Sequence, residues 1–331
     1  ILPLPNASGK MHTGNVLMIA IEDLLVRWKR MQGYSALWVP GTDHAGTETQ
    51  VTFERELKKQ GKSRLDFSRE ELYQKIWDFV QENKQNIEDQ IRMMGASVDW
   101  DRYLFTLDDR VIDTVYQTFE KMVKDDLIYR SEYIVNYCIG CGTTYADLEV
   151  DHQEKEDPLY FIRYKLVNPK KGDPEFLEVA TVRPEPIMVD THLAVNPGDK
   201  KNSKYAGRKV LNPITDTPMD IIANSFVDPK FGTGIVKLTP AHDKADYEVA
   251  RKNNLPIKAA IDWNGKMNEN TGKYQGLTVI EARKQIVDEL NKKGLTNTNK
   301  TQVRYKHLVP ICAKVGHNIE QLTLPNWFVK V

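Results

Sequence analysis

Four groups of residues in this sequence have types and spacings that could do chemistry. The first is Asn6-Ala7-Ser8-Gly9-Lys10-Met11-His12-Thr13-Gly14-Asn15. Its glycines let backbone approach a ligand, and His12 and Asn15 add hydrogen-bonding groups one turn apart. A helix following such a loop aims its positive end at the ligand, which suits phosphate. An ordinary strand-to-helix turn is the other reading. The second group is Gly41-Thr42-Asp43-His44-Ala45-Gly46. Small residues leave room there, and Asp43 and His44 can hydrogen-bond a ligand or form part of a metal site. The third is Cys138-x-x-Cys141, half of a tetrahedral zinc site, with Cys312 and His317 able to complete a Cys3His set. A metal-free knuckle held by packing fits the same residues. The fourth comprises Thr181-Val182-Arg183-Pro184-Glu185-Pro186 and the run from Lys237 to Glu248. On spacing alone, Arg183 and Glu185 read as a surface ion pair and Asp243 as a helix N-cap.

These groups need elements to position them. Residues 1–4 read as a strand end and Pro5 to Gly14 as loop. Leu17, Ala20, Ile21, Leu24, Leu25, Trp28 and Met31 follow the i, i+3, i+4 pattern of a helix with one buried face, closed by Gly33. Tyr34 to Val39 reads as a strand stopped by Pro40-Gly41. Strand, loop, helix and strand make the first βαβ unit of a parallel sheet, with both polar loops at carboxyl ends of strands. Helices are expected from about Ser68 to Gly95 and from Asp108 to Leu127, then a small β-ribbon around the cysteine turn from Tyr129 to Val150. Short β-like runs follow at 160–164, 177–181, 193–195, 221–222 and 234–238, with helices near 244–254 and 278–293. The stretch is mostly β, an α+β pattern. Residues 303–331 read as strand and ribbon again. The abrupt start at Ile1 and end at Val331 read as cuts from something longer.

Composition narrows the class. The 331 residues are 40% hydrophobic, enough for a packed core and against wholesale disorder. Lys+Arg and Asp+Glu both total 46, so an overall basic coat for nucleic acid is excluded while a local basic face is not. Three cysteines are too few for a disulfide scaffold and suit a reducing compartment. No apolar run approaches the roughly 18 residues of a membrane span. A cytoplasmic protein without a membrane partner is the expectation.

The motifs together resemble the class I aminoacyl-tRNA synthetases. The segment from Pro5 to Asn15 is similar to their His-Ile-Gly-His loop, with His12 and Gly14 matching and Asn15 in place of the second His. Asn15 can donate a hydrogen bond but cannot carry a charge. Leu37-Trp38-Val39-Pro40-Gly41-Thr42-Asp43-His44-Ala45-Gly46, Gly95-Ala96-Ser97-Val98-Asp99-Trp100 and Gly232-Thr233-Gly234-Ile235-Val236-Lys237-Leu238-Thr239-Pro240-Ala241-His242-Asp243 resemble the valyl branch of that family. The likeness runs essentially end to end. The family's second ATP motif, Lys-Met-Ser-Lys-Ser, does not occur, and Lys121-Met122-Val123-Lys124 lies inside a helical pattern.

The resemblance implies an α/β chain with three parts. Residues 1–150 would be the first half of a Rossmann-like catalytic domain with a helical and zinc-knuckle-like insertion. Residues 151–302 would be an inserted, mostly-β editing domain, and 303–331 a ribbon returning toward the second half. It implies ATP, with Mg, at His12, Gly14 and Asn15, the amino-acid ammonium group at Asp43, and valine and tRNA(Val) as partners. It also implies proofreading. A hydrophobic pocket rejects threonine in favour of valine by only ~10², a figure that is the established behaviour of the valyl enzymes themselves and not an inference from these residues. By motif match, Asp246 would anchor the α-ammonium of a threonyl ester. Arg183, Lys237 and Asp243 would position substrate, terminal adenosine and water, and Thr181 would offer a hydroxyl. Val182 and Pro186 stand where the motif has threonines. No Ser–His or Cys–His nucleophile spacing is evident, so water is the expected attacking group. The rival readings are a non-catalytic module gripping the tRNA acceptor end, a structural fragment, and an isoleucyl- or leucyl-type editing fragment.

Overall fold

The computed structural model describes residues 1–330, apart from the side chain of Val303; Val331, the last residue of the expected C-terminal strand, lies outside them. Packing divides the chain into two units, Ile1–Tyr129 joined by the chain end from Val329, and Arg130–Phe328.

In the first unit, His12 ends the opening loop and caps α1 (Thr13–Met31). Strand β1 (Gly41–Thr42) and helix α2 (Gly46–Lys59) follow. Ser68 and Glu71 form a capping box that starts α3 (Arg69–Met93). Then come β2 (Leu104–Phe105) and α4 (Asp109–Lys124), which begins after Asp108. Strand β1 pairs parallel with β2, Gly41 opposite Leu104. On its other side the opening segment runs parallel too. Leu2 N–H donates to Val39 O at 2.9 Å, Asp43 N–H to Pro5 O at 2.9 Å and Ala7 N–H to Asp43 O at 2.7 Å. The expected parallel start is therefore present, carried by very short segments.

Three details differ from the sequence expectation. The stretch Tyr34–Val39 forms no strand; pairing begins at its end and continues through Pro40 and Gly41. Gly41 is inside the ladder because the segments lie so close: a Cβ there would sit 2.4 Å from the Leu104 carbonyl oxygen. Helix α2 has no counterpart in the apolar pattern. Last, the predicted face of α1 is not buried: Leu17 is 62%, Leu24 67% and Met31 86% exposed. The helix instead packs a neighbouring stripe, Met18, Ile19 and Val26, against Leu2, Trp38, Ile87, Ile91 and Val98. Polar anchors fix that rotation. Glu22 accepts from Trp38 Nε1 at 3.1 Å, and Arg30 donates to Ala36 O and Ser97 O at 3.0 and 2.9 Å.

The second unit is mostly β. Its strands, the first begun at the end of the first unit, are β3 (Ile128–Cys138), β4 (Thr143–Tyr145), β5 (Val150–Leu166), β6 (Phe176–Thr181), β7 (His192–Val195), β8 (Lys209–Leu211), β9 (Pro218–Ala223) and β10 (Ile235–Leu238). Two helices, α5 (Lys244–Asn253) and α6 (Val279–Lys292), precede β11 (Gln302–Cys312) and β12 (Ile319–Val329). One sheet runs β10-β7-β9-β8-β5-β11 with β6 also on β5; another runs β12-β3-β4. The long β5 serves twice. Its first half forms an antiparallel ribbon with β11, His152 opposite Pro310, and its second half pairs with β6, Tyr160 opposite Thr181. Under this sheet Ile162, Tyr164, Leu166, Leu193 and Ile221 pack with Ala282, Ile286 and Leu290 of α6 in the main core. Alternating residues of β5 thus supply the buried face, as a half-buried strand requires.

Candidate functional site

The N-terminal loops are built on reciprocal contacts. His12 Nδ1 accepts from Asn15 N–H at 3.3 Å, and Asn15 Oδ1 accepts from His12 N–H at 3.2 Å. The two residues thus close the first turn of α1 as a capping box. Gly14 makes room for the imidazole, since a Cβ would lie 2.9 Å from His12 Cε1. The Asn6–Asp43 bridge sets the second loop beside the first. Asp43 Oδ1 accepts from Ala45 N–H at 2.9 Å and from the Thr106 hydroxyl at 3.2 Å. Its other oxygen has no protein donor among the described residues and remains open to a cation.

The second unit gathers its polar groups inside. Lys237 on β10 is buried, with Nζ donating to Asp190 Oδ1 at 2.9 Å and to Thr239 Oγ1 at 2.6 Å. Thr239 N–H donates to Asp246 Oδ2 at 2.8 Å, and Asp246 N–H to Asp243 Oδ1 at 3.0 Å. Lys237, Thr239, Asp243 and Asp246 therefore form one connected chain. Asp243 is also the N-cap of α5, as its position before that helix predicted. Burial first, and the Asp243 carboxylate second, push the Asp246 carboxyl up to about 7. Asp246 thus titrates at neutral pH.

Thr181 and Arg183 sit at the end of β6, where Thr181 Oγ1 accepts from Arg183 N–H at 3.0 Å. The surface-pair reading of Arg183 and Glu185 is overturned. Glu185 is fully buried and accepts from Arg183 Nε at 2.9 Å and from Arg283 Nε at 2.9 Å. Arg183 Nη2 reaches Glu320 at 2.7 Å. Burial alone would raise Glu185, but the two guanidinium groups hold it below the usual carboxylate range. No hydrogen bond among the described residues joins this loop directly to the Lys237 chain. His242 lies between them electrostatically: burial, then Arg183, lower its pKa to about 3. It is a neutral structural imidazole, donating from Nδ1 to Gln321 O at 3.2 Å and accepting at Nε2 from Ala260 N–H at 2.7 Å.

The cysteine set also assembles. Cys138, Cys141, Cys312 and His317 place their ligand atoms within 4.8 Å of one another. Cys141 Sγ is 3.6 Å from His317 Nδ1 and 4.0 Å from Cys312 Sγ, and Cys138 Sγ is 3.7 Å from His317 Nδ1. A zinc tetrahedron with bonds of about 2.3 Å to sulfur and about 2.0 Å to nitrogen has edges of roughly 3.5–3.8 Å, so the donor set fits. Gly140 permits it, because a Cβ there would come within 2.4 Å of His317 Nδ1.

The family model for tRNA synthetases class I (I, L, M and V) matches residues 1–331. The chain belongs to the class I tRNA synthetases. A relative described as valine–tRNA ligase from Fervidobacterium nodosum is 44% identical across all of this chain and 37% of its own length. One from Thermotoga maritima, with the same description, is 41% identical over 99% of this chain and 37% of itself. The chain thus spans little more than a third of the length of these synthetases. A solved LeuRS–tRNA–LeuAMS complex from Agrobacterium radiobacter covers 96% of this chain and 44% of its own at 17% identity with a TM-score of 0.39, too loose a likeness to add to the assignment. Among the described residues no helix of this synthetase chain is long and apolar enough to cross a membrane.

Sequence reasoning missed four side chains that hold the synthetase's polar groups: Asp190, Tyr164, Arg283 and Glu320. Tyr164 and Arg283 are carried by an ordinary strand and helix pattern, and Asp190 and Glu320 by no spacing that marks them. Only their contacts with buried polar groups, direct or for Glu320 through Arg183, visible after folding, single them out.

Proposed function

We propose that this chain is part of a valine–tRNA ligase and that its second unit, the inserted editing domain, hydrolyses threonyl-tRNA(Val). The observation that carries the reading is the connected buried chain of Lys237, Thr239 and Asp246, tied to the exposed Asp243 at the start of α5, with a cationic and an anionic group held in one water-poor place. An aminoacyl ester offers complementary charges: an α-ammonium for Asp246 and a carbonyl oxygen, negative during attack by water, for Lys237. Asp243 holds the start of α5, and with it the Asp246 backbone, in place. Arg183 acts through the loop it anchors, and Thr181 presents its hydroxyl at the same loop. Catalysis then comes from positioning and electrostatics, with water as nucleophile.

The first unit serves the parent reaction in this reading. ATP phosphates, with Mg, meet the N-terminus of α1 at His12, Gly14 and Asn15, and Asp43 takes the ammonium of valine. The matching activity belongs to the whole ligase, with tRNA(Val) as acceptor.

Cys138, Cys141, Cys312 and His317 would hold zinc. Bound there, the metal would staple the β3–β4 turn to the turn between β11 and β12. Metal analysis of the purified chain should find about one zinc, and Cys141→Ser should lose it and melt earlier, by several degrees. Full stability of the chain after exhaustive chelation, with no zinc found beforehand, would discard the metal.

The deciding experiment is deacylation of threonyl-tRNA(Val) beside valyl-tRNA(Val). Hydrolysis of the threonyl ester at least about tenfold faster is expected, a hydroxyl being readily sensed by a polar site. Binding of tRNA that weakens with salt, without turnover, would replace the reading by an acceptor-end module.

A further inference from the structure

Asp190 lies outside every motif legible in the sequence. It follows a single 3-10 turn, Ile187–Val189, and precedes β7, with its carboxylate fully buried. Three donors converge on it. Lys237 Nζ at 2.9 Å and the Thr239 hydroxyl at 2.6 Å share Oδ1, and the Tyr164 hydroxyl donates to Oδ2 at 2.9 Å. Lys237 closes the ring by donating to Thr239 Oγ1 at 2.6 Å.

Donor arithmetic then restricts what each group can offer a substrate. An ammonium has three N–H bonds and a hydroxyl one O–H. Thr239 gives its only hydrogen to Asp190 and has none for a ligand. Lys237 spends one on Asp190 and one on Thr239, and the third has no protein partner among the described residues. A buried cation with one unspent donor is a strong hydrogen-bond donor to an oxygen that becomes negative.

We propose that Asp190 is the positioning residue of this site: it holds and aims Lys237, so that the third N–H of Lys237 meets the ester carbonyl oxygen. The inference rests on the deacylation reading. In that step water adds to the ester carbon and the carbonyl oxygen takes the negative charge beside Lys237. The carbon–oxygen bond to the terminal ribose then breaks, and the proton lost by water ends on the ribose oxygen. Threonine and tRNA with a free hydroxyl are the products. Asp190 makes and breaks no bond.

The test uses the full chain, with Asp190→Asn placed in the native background and in Lys237→Met. Single-turnover hydrolysis of threonyl-tRNA(Val) should fall on the order of a hundredfold in Lys237→Met, as for loss of an oxyanion donor. Asp190→Asn should fall at least about tenfold, with substrate affinity changed less than about twofold. In the Lys237→Met background Asp190→Asn should add less than about twofold, since its target is gone. Tyr164→Phe, which leaves two donors on Asp190, should fold and stay within about threefold of native.

A second readout needs no turnover. The Nζ resonance of Lys237 in lysine-labelled protein should move at neutral pH in Asp190→Asn, because the ammonium loses the carboxylate it donates to at 2.9 Å. Equal losses in both backgrounds, or an unmoved Lys237 resonance, would overturn the proposal. A shifted resonance in a chain that hydrolyses no ester would remove the deacylation reading while upholding Asp190 as the group that fixes Lys237.

Discussion

Asp246→Ala should reduce hydrolysis of threonyl-tRNA(Val) by roughly 10²–10³-fold, the scale of losing a charge-assisted contact in a site shielded from water. The native carboxylate is 6% exposed and its carboxyl is pushed up to about 7, by burial first and by Asp243 second. It must be ionised to hold an α-ammonium. Catalytic efficiency on the free enzyme should therefore rise with pH through about 7. It should fall again as the substrate's own α-amino group loses its proton, at roughly 8 for an ordinary α-amine. The same shift costs stability. Below about 4 both folded and unfolded chains hold this proton. Between about 4 and about 7 the unfolded chain releases it and the folded chain keeps it, so stability falls as pH rises. Above about 7 the full cost stands, on the order of 4 kcal/mol for a shift of about three units. Asp246→Asn, nearly the same in shape, should flatten that part of the pH–stability curve while losing most activity. Denaturant melts from pH 4 to 8 beside deacylation rates check both. A variant that keeps native turnover, or whose stability slope matches the native one, would remove Asp246 from the site.

How much of this was legible before folding depends on what carried each feature. Helices α1, α3 and α4 announced themselves through their residue patterns, and Gly33 marked the end of α1, because both signals act locally. The buried face of α1 was misread because seven apolar residues formed a stripe, yet Glu22 and Arg30 anchor the helix on a neighbouring one. Periodicity reports an apolar face but not what covers it. Strand Tyr34–Val39 failed for a related reason. Among the described residues only its end, at Trp38 and Val39, finds backbone partners beyond α1, and the ladder proper starts at Gly41, through a backbone approach that only a glycine permits. The cysteine set was legible because ligand spacing is a local pattern, and the fold then closed a separation of 171 residues between Cys141 and Cys312. Lys237, Asp243 and Asp246 were legible through motif likeness and are linked in space. Asp190 was not, because a lone aspartate between apolar residues looks like any other until three donors converge on it.

Glu185→Ala should destabilise the second unit by about 3–5 kcal/mol, the range for breaking a buried ion pair from one side. For a unit of this size that corresponds to a melting point lower by roughly 6–20 °C. The cause is what remains behind. Among the described residues Arg183 would keep only Glu320 as an ion-pair partner, and Arg283 only Asp157 at 3.9 Å, around an empty buried space. Removing Glu320 instead should cost less, since its side chain is 15% exposed and Arg183 retains Glu185. The pH sign is opposite to that of Asp246. Glu185 is held below its ordinary value, so its contribution is present above about 4.5 and is lost as pH falls through the lowered folded value. Thermal melts of both variants at neutral and acid pH separate the two cases. A Glu185→Ala protein melting within about 2 °C of native would show the network to be dispensable. The prediction also bears on the departures at Val182 and Pro186, which remove hydroxyls from the loop that follows Thr181. If the ion network of Arg183, Arg283 and the buried Glu185 shapes that loop, two lost hydroxyls leave its course intact. Deacylation should then track the ion network more closely than the threonine content of the motif.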